Sequence, residues 1–274
     1  MPKKVTPAPL TLNRAGEKVS PEGAAWLAFD IETVLDASVE APGMRWSVGP
    51  DGIGSTVEEF PSPPQCQVVS IAGCAMDETL MPQQLILFGR GMPEHAQVWD
   101  FTRYTKDSSS LGWVTFNGRG FDVPVLLARL MRHGWPLPTY FEGRRGGLRY
   151  RYADPDRGKH IDLCDQLADY GGGRKASFKH YCQSFGLPGK LEADGSSVAA
   201  WYAAGEQEKI DWYCLFDAVQ NAFFFQRFML LCGRIGRTYY KDLVKSTVAR
   251  FEATPGFGPL VAAIDRPKLF LEEV

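Results

Sequence analysis

The stretch "WLAFDIETV", Trp26 to Val34, sets two carboxylates, Asp30 and Glu32, into an otherwise apolar run. Its length and content read as a buried β-strand. Side chains alternate faces along a strand, so positions i and i+2 project the same way, roughly 7 Å apart. Both acids therefore point to one place. Two like charges buried side by side are unfavourable unless something positive sits between them. The rest of the chain has to supply that charge, or further ligands for it.

Composition bounds the setting. A chain of 274 residues makes one large domain or two small ones and can bury a sizeable core. Its 45% hydrophobic and 23% charged content is that of an ordinary soluble globular protein. With a net charge of −2 and a pI near 6.1, no global positive field advertises nucleic acid. Anionic partners have to be met by local basic clusters. The six cysteines include no C-x-x-C pair and the four histidines lack ligand spacing, which argues against zinc. The cysteines lie mostly in apolar runs and read as buried free thiols. The basic N-terminus lacks the apolar region of a secretory signal, and no apolar run is long enough to span a bilayer. A reducing, cytoplasmic setting without membrane attachment is the expectation.

Residues 1–23, rich in Pro and Lys, read as a flexible arm, 24–236 as one domain and 237–274 as a C-terminal extension. Residues 36–67 are thick with Gly and Pro and read as a long irregular segment, of the kind that is functional or mobile. "VVSIAGCAM" and "QLILFG" predict a hairpin of strands around Asp77–Glu78, and "GWVTFNG" a further strand. "PEHAQVWDFTRYTKDS", "FDVPVLLARLMRHG" and "SFKHYCQSFGL", the last opened by Ser177, predict helices. "KHIDLCDQLADYG" predicts a short strand running into a helix, and a last long helix spans about Glu206 to Gly233. Consecutive strands followed by mixed helices imply an α/β fold, a mixed sheet flanked by helices.

Two further places hold acids in telling positions. "TFNGRGFDVPVLL" leaves a strand through a Gly-rich turn and reaches Asp122, placed at or one residue before a helix N-cap by Pro124. Alone, that is an ordinary capping Asp. In "DWYCLFDAVQNAFFF", Tyr213 and Asp217 are four apart and share a helix face. Alone, that is an ordinary partly exposed face. Together with Asp30 and Glu32, the chain offers four carboxylates and a phenol as a strand D-x-E, a pre-helix Asp and a helical Y-x-x-x-D.

This ordered set resembles the DEDD superfamily of 3′–5′ exonucleases in its tyrosine-bearing branch (DEDDy), an RNase H-like (DnaQ-like) fold. The likeness covers about residues 26–233 and is greatest to the exonuclease-like proteins related to family B DNA polymerases. "FDIET", "FNGRGFDVPVL", "HIDL" and "GKLEADGSSV" are similar as a set. The resemblance implies hydrolysis at the 3′ end of a single strand, DNA favoured over RNA, with two Mg²⁺ or Mn²⁺ ions. Two hard cations roughly 3.5–4 Å apart suit phosphodiester hydrolysis, and oxygen ligands suit such cations. It further implies that Asp30 bridges both metals, that Glu32 and Asp217 bind the water-activating one, and that Asp122 supports the second. Tyr213 would orient the attacking water, since a phenol with a pKa of about 10 is a poor general base at neutral pH.

Basic residues offer strand contacts. Arg144, Arg145, Arg149, Arg151, Arg157 and Lys159 interleave with Tyr150 and Tyr152, a pattern that fits phosphates and bases, or a solvated hairpin tip. Arg174 and Lys175 lie near a helix N-terminus. Asn117 and Arg119 occupy the turn before Asp122 and are expected to line the site. Phe29, Phe116 and Phe121 read as core, and Asp162 and Asp165 as a strand end or helix cap. Three other readings stand beside the main one. They are an RNA trimmer or oligoribonuclease-like enzyme, a non-catalytic nucleic-acid-binding module of the same fold, and an RNase H-like endonuclease.

Overall fold

Alternation along β1 (Trp26–Leu35) gives the sheet two unlike faces. Leu27, Phe29 and Ile31 enter one apolar cluster, whereas Ala28 enters the other, on the side to which Asp30 and Glu32 project. This computed structural model describes residues 8–48, 54–106, 111–141, 160–191 and 197–272. After β1 come β2 (Met44–Val48), β3 (Gly54–Glu58), β4 (Cys66–Met76), β5 (Pro82–Leu87), α1 (Glu94–Lys106), β6 (Gly112–Thr115), α2 (Asp122–His133) and α3 (Pro138–Phe141). Then follow β7 (His160–Asp162), α4 (Leu163–Leu167), α5 (Phe178–Ser184), α6 (Ser197–Ala203), α7 (Gln207–Leu231), α8 (Arg237–Ala253), α9 (Gly258–Ala262) and α10 (Arg266–Leu269).

Five strands form a mixed sheet in the order β5-β4-β1-β6-β7. β1 pairs antiparallel with β4 and parallel with β6, so it is central and its acids sit at the middle of the sheet. A register shift between Glu32 and Thr33 bends β1 just past the second acid. Helices α1 and α2 cover one face through Val98, Phe101, Val123 and Leu126. Helix α7 covers the other through Cys214, Leu215, Ala218 and Ala222. Burial of Arg129 on α2 is matched by two carboxylates, Asp36 at 2.6 Å beyond β1 and Glu94 at 2.5 Å on α1. Those pairs tie the end of β1 to both helices of that face.

Three regions differ from the sequence expectation. The arm expected to be flexible packs down over residues 8–23. Leu10 and Val19 are buried, and the Asn13 amide bonds the backbone N–H and C=O of Leu87 at 2.8 and 2.9 Å. A bridge from Leu12 to Leu85 adds to this, so the arm covers the free edge of β5. Within 36–67, β2 and β3 pair antiparallel from Met44↔Glu58 to Val48↔Gly54, so the irregular segment contains a short hairpin. Its Gly and Pro content hides two strands of five residues each. Residues 237–269 are not appended at the surface. Tyr240, Leu243, Val244, Val248, Phe251 and Phe257 join the same cluster as the α7 face of the sheet. No helix among the described residues is long and apolar enough to cross a membrane.

If the last helices share the core, Phe251→Ala should lower unfolding free energy by about 3–5 kcal/mol, the usual range for a fully buried Phe. Urea denaturation followed by circular dichroism reads this, and a loss below about 0.5 kcal/mol, typical of a surface change, would mean the tail is peripheral.

Candidate active site

Three elements deliver four carboxyl groups to one cavity of about 530 Å³. β1 brings Asp30 and Glu32, the first residue of α2 brings Asp122, and α7 brings Asp217. Carboxylate oxygens of Asp30 and Glu32 lie within 4.8 Å of each other and of the Cys214 sulfur. Asp30 is half-buried, whereas Glu32, Asp122 and Asp217 are buried.

The electrostatics follow from that crowding. Burial, then Asp122, Glu32 and Asp217, drive the Asp30 carboxyl well above its ordinary range. Burial and Asp217 do the same to Glu32. Asp122 is raised to about 7 by burial, although backbone N–H groups of Asp122 and Ile31 oppose the shift. Burial also raises Asp217 to about 7, and Lys190 pulls it back. The Cys214 thiol is pushed well up by burial and by Asp30, so it stays protonated and donates to the Asp30 carbonyl at 3.3 Å.

Local structure explains each placement. Asn117 takes a left-handed conformation with φ of 61°, and its carbonyl accepts from the N–H groups of Gly120 and Phe121 at 2.9 and 3.0 Å. Phe121 becomes the N-cap and Asp122 the first helical residue, without side-chain capping. The capping role that Asp122 was open to from sequence is thus not used, and its carboxyl lines the cavity instead. Asp162 does the capping, for α4, as the sequence indicated. Its carboxylate accepts from the N–H groups of Asn117 and Arg119 at 2.8 and 2.7 Å, and from Cys164 at 3.0 Å. One buried acid thereby staples the turn that aims Asp122.

On α7, Tyr213, Asp217 and Asn221 recur every four residues along one stripe. Asp217 and Asn221 line the cavity. Tyr213 lies beside it, with its hydroxyl accepting from the Lys190 ammonium at 2.6 Å. Lys190 lines the acidic cavity and is a positive charge that the sequence reading did not single out. Gln220 fixes it there. Its side chain bonds the N–H and C=O of Gly189 at 2.8 and 2.7 Å, holding the turn that carries Lys190 against α7. A lone Lys after a Pro-Gly turn in "LPGKLEADG" was the available signal.

Other expected contacts divide. Asn117 lines the cavity and accepts from Lys175 at 3.1 Å. Arg119 turns towards Asp165, 3.4 Å away, and lies over the Tyr170 ring, so its expected place in the lining is not met. Arg174 is exposed, and Lys175 pairs with Asp165 at 3.0 Å. Arg144, Arg145, Arg149 and Arg151 lie outside the described residues. Phe29 is core as expected, but Phe116 and Phe121 are half-buried and line the cavity with Phe178. Phe60, which sequence reasoning missed, is 77% exposed and stands 5.5 Å from Phe121 at the same cavity.

A family profile described as "Predicted 3'-5' exonuclease related to the exonuclease domain of PolB" matches residues 58–256, well over half the chain. The chain belongs to this exonuclease family. The matched span contains Asp122, Lys190, Tyr213 and Asp217, while Asp30 and Glu32 precede it and reach the site through β1. No curated protein matches the chain. Among solved structures, the family B DNA polymerase from the hyperthermophilic archaeon Pyrobaculum calidifontis is similar at a TM-score of 0.50 and 18% identity. That likeness covers 90% of this chain and 28% of the polymerase chain, and it shows the shared fold.

Raised carboxyl groups have a consequence for stability. Asp122 and Asp217 bind protons up to about 7 in the folded chain but release them near the ordinary 3.8 when unfolded. Between those values the folded state holds more protons, so stability falls as pH rises. Thermal unfolding of this exonuclease-family chain in chelator should show that decline from pH 4 to 7, with a shallower slope for Asp217→Asn. An equal slope in the variant would show that Asp217 is not a strained acid.

Proposed function

We propose that the chain is a metal-dependent 3′–5′ exonuclease. It hydrolyses phosphodiester bonds at the 3′ end of single-stranded nucleic acid, DNA favoured, and releases nucleoside 5′-monophosphates. One observation carries the reading: Asp30, Glu32, Asp122 and Asp217 converge on a single cavity from three separate elements. Intact acids at all four positions speak against a binding module that has lost catalysis. The relation of the family to PolB favours DNA.

The residues present fit divalent cations. Their donors are hard carboxylate oxygens, the ligand type of Mg²⁺ and Mn²⁺, and crowding leaves them short of positive charge. The buried Asn221 Oδ1 has no hydrogen-bond partner among the described residues, and Asn221 lines the same cavity. It is suited to accept from a metal-bound water. The protonated Cys214 thiol already donates to the backbone and is the softer ligand, so the carboxylates are the fitting set. Asp30, Glu32, Asp122 and Asp217 would hold the two ions, which supply an activated water and stabilise charge on the leaving 3′ oxygen.

The remaining work falls to this chain's own groups. Lys190 orients the Tyr213 hydroxyl, which positions the attacking water. The Lys190 ammonium also offers a donor to a phosphate oxygen. Phe60 and Phe121 present ring surfaces on which the terminal base stacks. Asn117 and Lys175 offer polar contacts near the cavity.

A 5′-labelled single strand incubated with Mn²⁺ should give a ladder that shortens from the 3′ end and vanishes with chelator. Asp30→Ala should abolish that ladder while its circular dichroism matches the unaltered chain; near-normal activity would sink the role given to Asp30. Misplacing a reactant by about 1 Å can lower a rate by about 10²-fold, so Tyr213→Phe should reduce kcat on that scale with strand affinity little changed. An unchanged kcat would show that another group holds the water.

A further inference from the structure

Tyr213 marks a wall between two cavities. On α7, Tyr213 and Asp217 form one stripe, and Trp212 and Phe216, roughly 100° around the helix, form the next. The second stripe lines a separate cavity of about 890 Å³, completed by Trp201 of α6, Leu191, and Pro259 and Ala262 of α9. Lys190 and Asp217 face the acidic cavity, while their chain neighbours Leu191 and Phe216 face this one. One layer of side chains therefore divides the two, and the Lys190–Tyr213 contact lies within it.

The walls are aromatic and held in place. Trp201, Trp212 and Phe216 are half-buried, with Trp201 edge-on to Tyr213 at 5.8 Å and Trp212 5.6 Å from Phe216. Gly256, at φ +89°, leaves room for the Trp212 indole, since a Cβ there would lie 2.1 Å from it. Phe257 supports the same indole at 5.6 Å. Glu208 and Lys209 both line the cavity, so charge selects no ion. Apolar ring faces are what it offers.

We propose that this cavity receives a nucleobase of the single strand whose 3′ end lies over the acids, stacked against Trp201 and Trp212. The proposal rests on the hydrolytic reading of the acidic cavity. A strand engaged at its end has to continue past the reacting phosphate, and the wall beyond Tyr213 is an aromatic one. Stacking on aromatic rings is tolerant of sequence, as trimming of arbitrary 3′ ends requires.

Ala262 tests it. This exposed α9 residue lines the cavity, so Ala262→Trp fills the space without entering the core. Binding of a 5′-fluorescein-labelled oligothymidylate is read by anisotropy in chelator, where no cleavage occurs. Loss of one stacked base should weaken the strand about tenfold. With Mn²⁺ restored, KM should rise by a larger factor than kcat falls. Saturating strand should also quench tryptophan emission, and Trp201→Phe should reduce that quenching. Undiminished affinity in Ala262→Trp, or emission untouched by saturating strand, overturns the proposal. Cleavage by the unaltered chain together with undiminished Ala262→Trp affinity sinks the cavity assignment alone. Quenching and weakened Ala262→Trp binding without any cleavage would support the cavity and sink the hydrolytic reading instead.

Discussion

Repulsion among Asp30, Glu32, Asp122 and Asp217 is the constraint around which the surrounding structure is arranged. Each acid alone would relax toward water or take a proton, and burial raises all four. They stay together because each is carried by backbone that cannot easily move. Asp30 and Glu32 belong to the central strand of the sheet. Asp217 belongs to a helix of 25 residues whose opposite contacts are core. Asp122 is held by a turn whose N–H groups are bound to a fifth buried acid, Asp162.

Compensation by the protein is partial. Lys190 pulls back on Asp30, Glu32 and Asp217, but among the described residues it is the one cation in the lining, against four carboxyl groups. On the proposed function, bound cations would offset that imbalance. Stability has to come from elsewhere, and it does. Apolar clusters lie on both faces of the sheet, and the buried Arg129 is paired twice at a distance from the cavity. Strain at functional positions offset by packing elsewhere is a common arrangement.

The cavity also has two chemical characters. Its floor is acidic, whereas Phe60, Phe116, Phe121 and Phe178 make its sides aromatic. On the proposed function, the acids would serve the phosphodiester through bound cations and the rings would serve the bases. The Tyr213–Lys190 pair stands at the edge of this cavity and of its aromatic neighbour.

Local patterns in the chain were enough for what depends on local periodicity. Strand alternation put Asp30 and Glu32 on one side, helical spacing put Tyr213 and Asp217 on one stripe, and Asp162 was legible as a cap because capping is set within a few residues. What depends on distant partners was not legible. The arm at 8–23 looks free until Asn13 meets Leu87, and the tail looks appended until Phe251 meets Phe223 at 5.7 Å. Arg119 looks like a site residue until Asp165 claims it, and Lys190 looks like a surface lysine until Gln220 clamps its turn beside Asp217. Sequence alone thus determined which residue types face which side of their own element. Tertiary structure decided which of those sides meet, because that choice is made by contacts between residues far apart in the chain, where no periodicity reaches.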